Sequence, residues 1–437
     1  MHTLDATALR RRYFLITLLT WLPLGMGAAG LVLLVTERGF DLATVGVLFL
    51  VQGLVVSGLE LPTGGLADVI GRRGVLIASA VVGLVAMLWT AVATGWWELV
   101  LVAVLRGVSR ALSSGPAEAW YVDSVHALSP DADIRRGLGL GNTATSIGLA
   151  VGTLAGGFIP LAVPLPDDGL VIPLSIPMFI GAALFALLLL VVGFGMPEPA
   201  RTGARPRLGE VLRGVPATVT GGIRLGLRDR GLLRLLSLAV FAGMALNAVE
   251  LLTPGRMETL AGSAEAGASV YGVVAMIGFA ASGLGSSLSH TLTRLVGGRV
   301  RLAAVIGVLV SVLGLVVLFG TGAWSGTVGI VGACAGYAVM YVGIGLRMPV
   351  TSELIHRRVA SGERATVVSI QSLLLQGGGS LATLGLPVLA AVWSVPGAWL
   401  VSGALLAVSA LLYRRTRADR AAEDPARLSP AGMTTGA

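Results

Sequence analysis

The sequence predicts an all-α membrane protein, with twelve transmembrane helices in two pseudo-symmetric six-helix bundles. Three observations carry this. Of 437 residues, 55% are hydrophobic and only 12% charged, with mean hydropathy +0.86; a soluble chain of this length would need more polar surface. Apolar runs of roughly 20 residues recur throughout, each long enough to cross a hydrocarbon layer about 30 Å thick. Arginine is confined almost entirely to alternate loops between those runs.

In order, the first six spans are expected near 13–36, 45–67, 74–94, 97–125, 138–161 and 170–196. The second six fall near 232–254, 268–293, 302–320, 325–350, 364–391 and 395–413. Arg10 to Arg12, Arg72 and Arg73, Arg135 and Arg136, and Arg201 to Arg234 lie in loops on one side. Arg294 to Arg301, Arg357 to Arg364, and Arg414 to Arg427 continue that side. Only Arg38 and Arg256 break the alternation, which by the positive-inside rule places both termini in the cytoplasm of a plasma (inner) membrane. Trp96, Trp97, Trp324 and Trp393 fall at the opposite interface, as belt aromatics should. The domains are then a cytoplasmic N-terminus (1–12), one bundle (13–196), a polar linker (197–231), a second bundle (232–413) and a cytoplasmic tail (414–437).

Several function classes are excluded or left without support. Net charge +8 sits in inter-helix loops, where it sets topology and implies no nucleic-acid partner. Cys334 stands alone and the four histidines are scattered, so neither a disulfide framework nor a metal or other cofactor is expected. The chain has no lysine and hence no P-loop lysine for an ATP-driven pump. Gly25-x-Gly27-x-x-Gly30 has the letters of a dinucleotide fingerprint but lies inside the first span, where it reads as a helix-packing face. Arg11-Arg12 resembles an export signal, yet the apolar run behind it is too long and lacks a cleavage site. No catalytic triad or elbow is visible, and no soluble sensor domain; enzyme and sensor readings therefore fall away.

Gly64-x-x-x-Asp68-x-x-Gly71-Arg72-Arg73, between the second and third spans, resembles the signature loop of the major facilitator superfamily. Val69 replaces the usual basic residue. The resemblance extends over about residues 10 to 415. It implies a transporter working by alternating access, mostly as a monomer, on a small-molecule substrate and with protons. By that resemblance Asp68 faces the start of the eleventh helix, where the helix dipole favours its charge. Arg72 pairs with Asp68 and with Asp123 at the end of the fourth, latching the bundles on the cytoplasmic side. The plainer reading is that these charges merely define a turn. Gly148-x-x-x-Gly152-Thr153-x-x-Gly156-Gly157 resembles the family's antiporter motif with proline replaced by Thr153; it is equally read as close helix packing.

Arg106 and Arg110 are one turn apart on the fourth span, near mid-membrane. A charge at that depth costs at least about 2.5–3.5 kcal/mol and should face the bundle interior or a wet cavity. Arg106 resembles the arginine that family members use in proton coupling, although Arg110 stands where that motif prefers glycine. Glu60 in the second span and Glu250 in the seventh, with Asn247 a turn before it, are the candidate proton carriers, because desolvation raises a carboxyl pKa towards neutrality. Glu118 and Glu353 lie nearer the interface, where pairing with arginine is expected. The leading expectation is proton-coupled efflux of small amphiphilic, drug-like molecules; the alternative is proton symport of a sugar or organic anion.

Overall fold

The computed structural model describes residues 5–129, 132–166, 168–198, 229–359 and 364–414, with Gly209 and Thr220; within its helices the side-chain description leaves out Leu61, Gly64, Gly65, Asp68, Arg364 and Ala365. Most of the linker and the tail therefore lie outside the described residues. Twelve helical spans are long and apolar enough to cross a membrane, and among the described residues there is no strand.

The first half comprises α1 (Ala6–Glu37), α2 (Leu42–Ile70), α3 (Arg72–Val92), α4 (Trp96–Ser113), α5 (Pro116–Leu128), α6 (Arg135–Ala162) and α7 (Ile176–Gly195). The second comprises α8 (Arg230–Ala261), α9 (Ala264–Leu295), α10 (Val300–Gly320), α11 (Gly326–His356), α12 (Arg364–Val392) and α13 (Val395–Ser409). Short polar side chains start many of them: Asp5, Asp41, Ser263 and Ser394 each accept a backbone N–H from the first turn, satisfying donors that a helix start leaves free.

The fourth span differs from the single helix expected over 97–125. It breaks at Ser114–Gly115, where Gly115 takes φ +90°, a conformation that needs a residue without Cβ. Pro116 then occupies the first turn of α5, where its missing N–H costs nothing. The sixth span begins later than 170, with a 3₁₀ turn at Pro173–Ser175 before α7. The tenth runs on to His356 rather than ending at 350.

An even number of spans brings both chain ends to one side of the molecule, the terminal face; the other is the far face. Packing repeats between the halves. The first span lies on the fifth and the seventh on the eleventh; the second lies on the fourth and the eighth on the tenth. The third contacts the fourth and sixth as the ninth contacts the tenth and twelfth. The halves meet chiefly along α6 with α9 and α2 with α12.

Those seams are tightest towards the far face. A Cβ on Gly157 of α6 would stand 2.5 Å from the Ala268 carbonyl oxygen, and one on Gly272 of α9 would stand 2.9 Å from that of Thr153. Ser269 Oγ donates to the Gly157 carbonyl at 2.9 Å. On the other seam Gly46 abuts the Thr383 backbone. Small residues permit this backbone-to-backbone approach; any side chain would wedge the bundles apart.

Candidate functional site

A cavity of about 420 Å³ lies between the bundles at mid-height. Trp21, Gln52, Arg106, Arg110 and Thr153 line it from the first half; Asn247, Glu250, Tyr271, Tyr341 and Gln376 line it from the second. Helical periodicity shows where it leads. One turn-pair from Leu149 and Thr153 on α6, the same stripe reaches Asn142 and Ser146; beyond Phe279 on α9 it reaches Ser286 and His290. All four are exposed. The cavity thus opens towards the terminal face and is shut towards the far face.

Arg106 donates from Nε to Gln52 Oε1 at 3.1 Å, and its Nη1 is buried without an acceptor. The Arg110 guanidinium lies 4.4 Å from the centroid of the Trp21 ring, a cation–π contact. Neither guanidinium forms an ion pair among the described residues. Glu250 projects from α8 into the cavity and is exposed there, although Ala248 and Val249 before it are buried. It has no ion pair or hydrogen bond among the described residues. Asn247 Nδ2 donates weakly to the Gly243 carbonyl at 3.4 Å and stands against Gly379 of α12. Glu60 lies closer to the terminal face, on the α2–α12 seam, and accepts from Ser372 Oγ at 2.9 Å. Of the two candidate carboxylates, Glu250 lines the cavity and Glu60 does not, and among the described residues Glu250 has no partner.

At the terminal face, Gly71 joins α2 to α3 with φ +97°, and Arg72 Nη2 pairs with Asp123 Oδ2 of α5 at 3.2 Å. The Arg73 backbone N–H donates to Glu198 Oε1 at 2.8 Å, and its side chain reaches the Gly193 carbonyl. Gly64 and the Asp68 side chain, with the contact expected for Asp68, lie outside the described residues. The bundles are closed at the face opposite this loop, so the state seen is not the one the loop would latch. Glu353 pairs with Arg357 one turn on. Glu118 differs from its expected role: exposed on α5, it pairs with no arginine among the described residues. In the second half Arg358 pairs with Asp229 at 2.9 Å. Burial pushes the Asp229 carboxyl up, but the bonds from Arg358 and the Gly231 N–H outweigh it and hold the group below its ordinary range.

The glycines of the fifth-span motif divide between two contacts. Gly152 and Gly156 face the α1 backbone at Leu22 and Met26, and Gly148 approaches Leu18 and Leu22. Gly157 faces the other bundle, and Thr153 is buried beside the cavity with its hydroxyl unpartnered. Sequence reasoning missed part of the lining. Trp21, Gln52, Tyr271, Tyr341 and Gln376 gave a signal, polar or amphipathic side chains within apolar runs, but only their arrangement shows that they converge. Arg347 of α11 was also missed. It is buried, 8% exposed, away from the cavity, beside Tyr413, whose hydroxyl lies 2.6 Å from Thr351 Oγ1.

The family model described as Major Facilitator Superfamily matches residues 13–383. The chain belongs to the Major Facilitator Superfamily. It is therefore a multi-pass membrane transporter and not an enzyme. No curated protein matches the chain. Among solved structures, the fold is similar to a variant of the nucleoside transporter NupG, at 15% identity and TM-score 0.73, covering 93% of this chain and 98% of that one. It is equally similar to a bacterial homologue of the human lysosomal transporter Spinster in an inward-facing, unoccupied conformation, at 15% identity and TM-score 0.73, covering 93% and 96%. A POT family transporter in complex with 5-aminolevulinic acid aligns with 14% identity and TM-score 0.69, covering 92% and 94%. At these identities the likeness speaks for the superfamily fold alone.

Proposed function

We propose that this superfamily member is a proton-coupled exporter of small amphiphilic, drug-like molecules, working as a monomer in the plasma (inner) membrane with both termini cytoplasmic. The observation that carries this reading is Glu250, a carboxylate exposed in the central cavity without a counter-ion among the described residues. Such a group must be neutralised to lie comfortably at mid-membrane, and a proton does so. The bundles rock about the cavity, and Gly157 and Gly272 allow their far-face ends to close. The loop around Asp68 and Arg72, held to α5 through Asp123, latches the terminal face when the far face opens.

The energy suffices. One charge crossing 100 mV yields about 2.3 kcal/mol, and one pH unit adds about 1.4. Together, roughly 3.7 kcal/mol holds a neutral solute several hundredfold from equilibrium.

A second reading, proton symport of an organic anion, draws on Arg106 and Arg110 in the same cavity. Proteoliposomes with an imposed pH gradient separate the two by direction, because antiport accumulates a fluorescent dye on the side that supplies protons. Glu250→Gln should abolish gradient-driven accumulation while dye–dye exchange persists at saturating dye. Unchanged pH-driven transport in E250Q overturns the assignment of the coupling residue. Accumulation on the opposite side overturns export.

A further inference from the structure

The two walls of the cavity carry opposite charges, and none of those charges is held in an ion pair among the described residues, although Glu60 on the α2–α12 seam attracts Arg110 from outside the cavity lining. On the first-half wall stand the Arg106 guanidinium, with a buried N–H lacking an acceptor, and the Arg110 guanidinium against Trp21. On the second-half wall stands Glu250. Around it are Tyr271, Tyr341 and Phe279, with Phe279 edge-on to Tyr341 at 6.2 Å between ring centroids. Tyr337 stacks behind Tyr341 at 5.3 Å and meets Tyr271 edge-on at 6.5 Å, so the aromatic wall is braced.

Solutes of a single charge fit this arrangement poorly. A cation drawn to Glu250 would face two arginines across the same cavity, and an anion drawn to the arginines would face Glu250. A solute bearing both signs meets complementary charge at each end and leaves little uncompensated charge in a low-dielectric site. We infer that the cavity takes an amphoteric organic solute, its acidic group held by Arg106 and Arg110 and its protonated amine or cationic ring held by Glu250 and the tyrosine faces. Guanidinium bonds to a carboxylate are charge-assisted and directional; an organic cation over aromatic rings gains from their quadrupoles. The inference rests on the transport reading above in taking this cavity as the substrate site, but not on its proton coupling.

The test is equilibrium binding to the full chain in lipid nanodiscs, with no gradient, using three related xanthene dyes. Rhodamine 110 carries a carboxylate and a cationic ring system. Rhodamine 123 is its methyl ester and keeps only the cation, and fluorescein supplies only negative charge. Rhodamine 110 should bind at least about tenfold more tightly than either relative. Arg110→Gln should shrink its advantage over the ester to less than about threefold, while Arg110→Lys, which keeps the charge, should retain most of it. Glu250→Gln should weaken both rhodamines and leave fluorescein no worse bound. Equal or tighter binding of the ester, an advantage that survives R110Q, or failure of all three dyes to bind overturns the inference. Selective binding without proton-driven transport would instead remove the coupling and keep the substrate class.

Discussion

The halves of the molecule share a scaffold and differ in what they present to the cavity. In the first half, Arg38 follows α1 and donates to the Thr90, Ala91 and Ala93 carbonyls at the end of α3. In the second, Arg256 near the end of α8 donates to the Thr321 and Trp324 carbonyls at the end of α10. The two arginines that break the positive-inside alternation thus do one job twice, satisfying carbonyls at the negative end of a helix dipole. Mid-membrane seams repeat as well: Ser79 of α3 donates to the Ser109 carbonyl of α4, and Ser311 of α10 donates to the Met340 carbonyl of α11. Those contacts make Ser109 and Met340 equivalent. Three residues before each stand Arg106 and Tyr337, and one residue after stand Arg110 and Tyr341. At matching places one half carries guanidinium and the other phenol. Packing requires the scaffold to repeat, whereas the cavity walls are free to diverge, and the departure from the repeat falls on the cavity proposed as the substrate site.

The terminal face offers the largest test of that division. The first half ties α3 to α5 through Arg72 and Asp123; the second ties α11 to the start of α8 through Arg358 and Asp229. If only the first pair belongs to a moving latch, Arg72→Ala should lower the transport rate by more than about tenfold, at least ~1.4 kcal/mol on the barrier, with insertion unchanged. Arg358→Ala should leave the rate within about twofold and lower the melting temperature, because Asp229 loses its ion-pair partner and stays half-buried. Wild-type rates in R72A, measured by dye flux in proteoliposomes, would reduce both pairs to structural staples.

Much of the architecture is legible in the sequence, because a bilayer imposes length, hydropathy and charge placement on every span. The break in the fourth span was legible in principle from Ser114-Gly115-Pro116, yet apolar composition on both sides hid it. The cavity was only half legible. Arg106, Arg110 and Glu250 stand out because charge in an apolar run needs a reason. Tyr271, Tyr341 and Trp21 give a weaker signal, since an amphipathic aromatic in a span can equally face lipid or core. Which carboxylate faces the cavity depends on helix rotation and seam geometry, so Glu60 and Glu250 looked alike in sequence and differ in place: one accepts from Ser372 across the α2–α12 seam, the other stands free in the cavity. Glu118 was misread because interface depth alone does not supply an arginine partner.

A middle-sized effect sharpens the symmetry claim. Arg38→Ala and Arg256→Ala should each destabilise the protein by about 1.5–3 kcal/mol, the range for hydrogen bonds from a charged donor, and by similar amounts. Transport by the surviving folded protein should stay near wild type, since both sites lie at the far-face ends of helices within a single bundle. Thermal melts in nanodiscs measure the first quantity and initial flux rates the second. A loss of transport confined to one variant would show that the two arginines have parted in function, as the cavity walls have.

The smallest effect probes the mid-membrane seams themselves. Ser79→Ala removes one interhelical bond of 2.8 Å between α3 and α4, and Ser311→Ala removes one of 3.0 Å between α10 and α11. Interhelical hydrogen bonds in membranes average only ~0.6 kcal/mol, because the separated helices find other partners, so each variant should lose about that much. The seams are not identical: Ser109 Oγ returns a bond to the Ser79 carbonyl at 3.0 Å, whereas Met340 has no hydroxyl to return. Ser109→Ala should therefore cost about as much as Ser79→Ala, and the S79A/S109A double variant roughly twice either if the bonds act independently. A double-variant loss well below the sum would mean the reciprocal pair is cooperative, and that the first half, carrying the two cavity arginines, holds its third and fourth spans more firmly than the second.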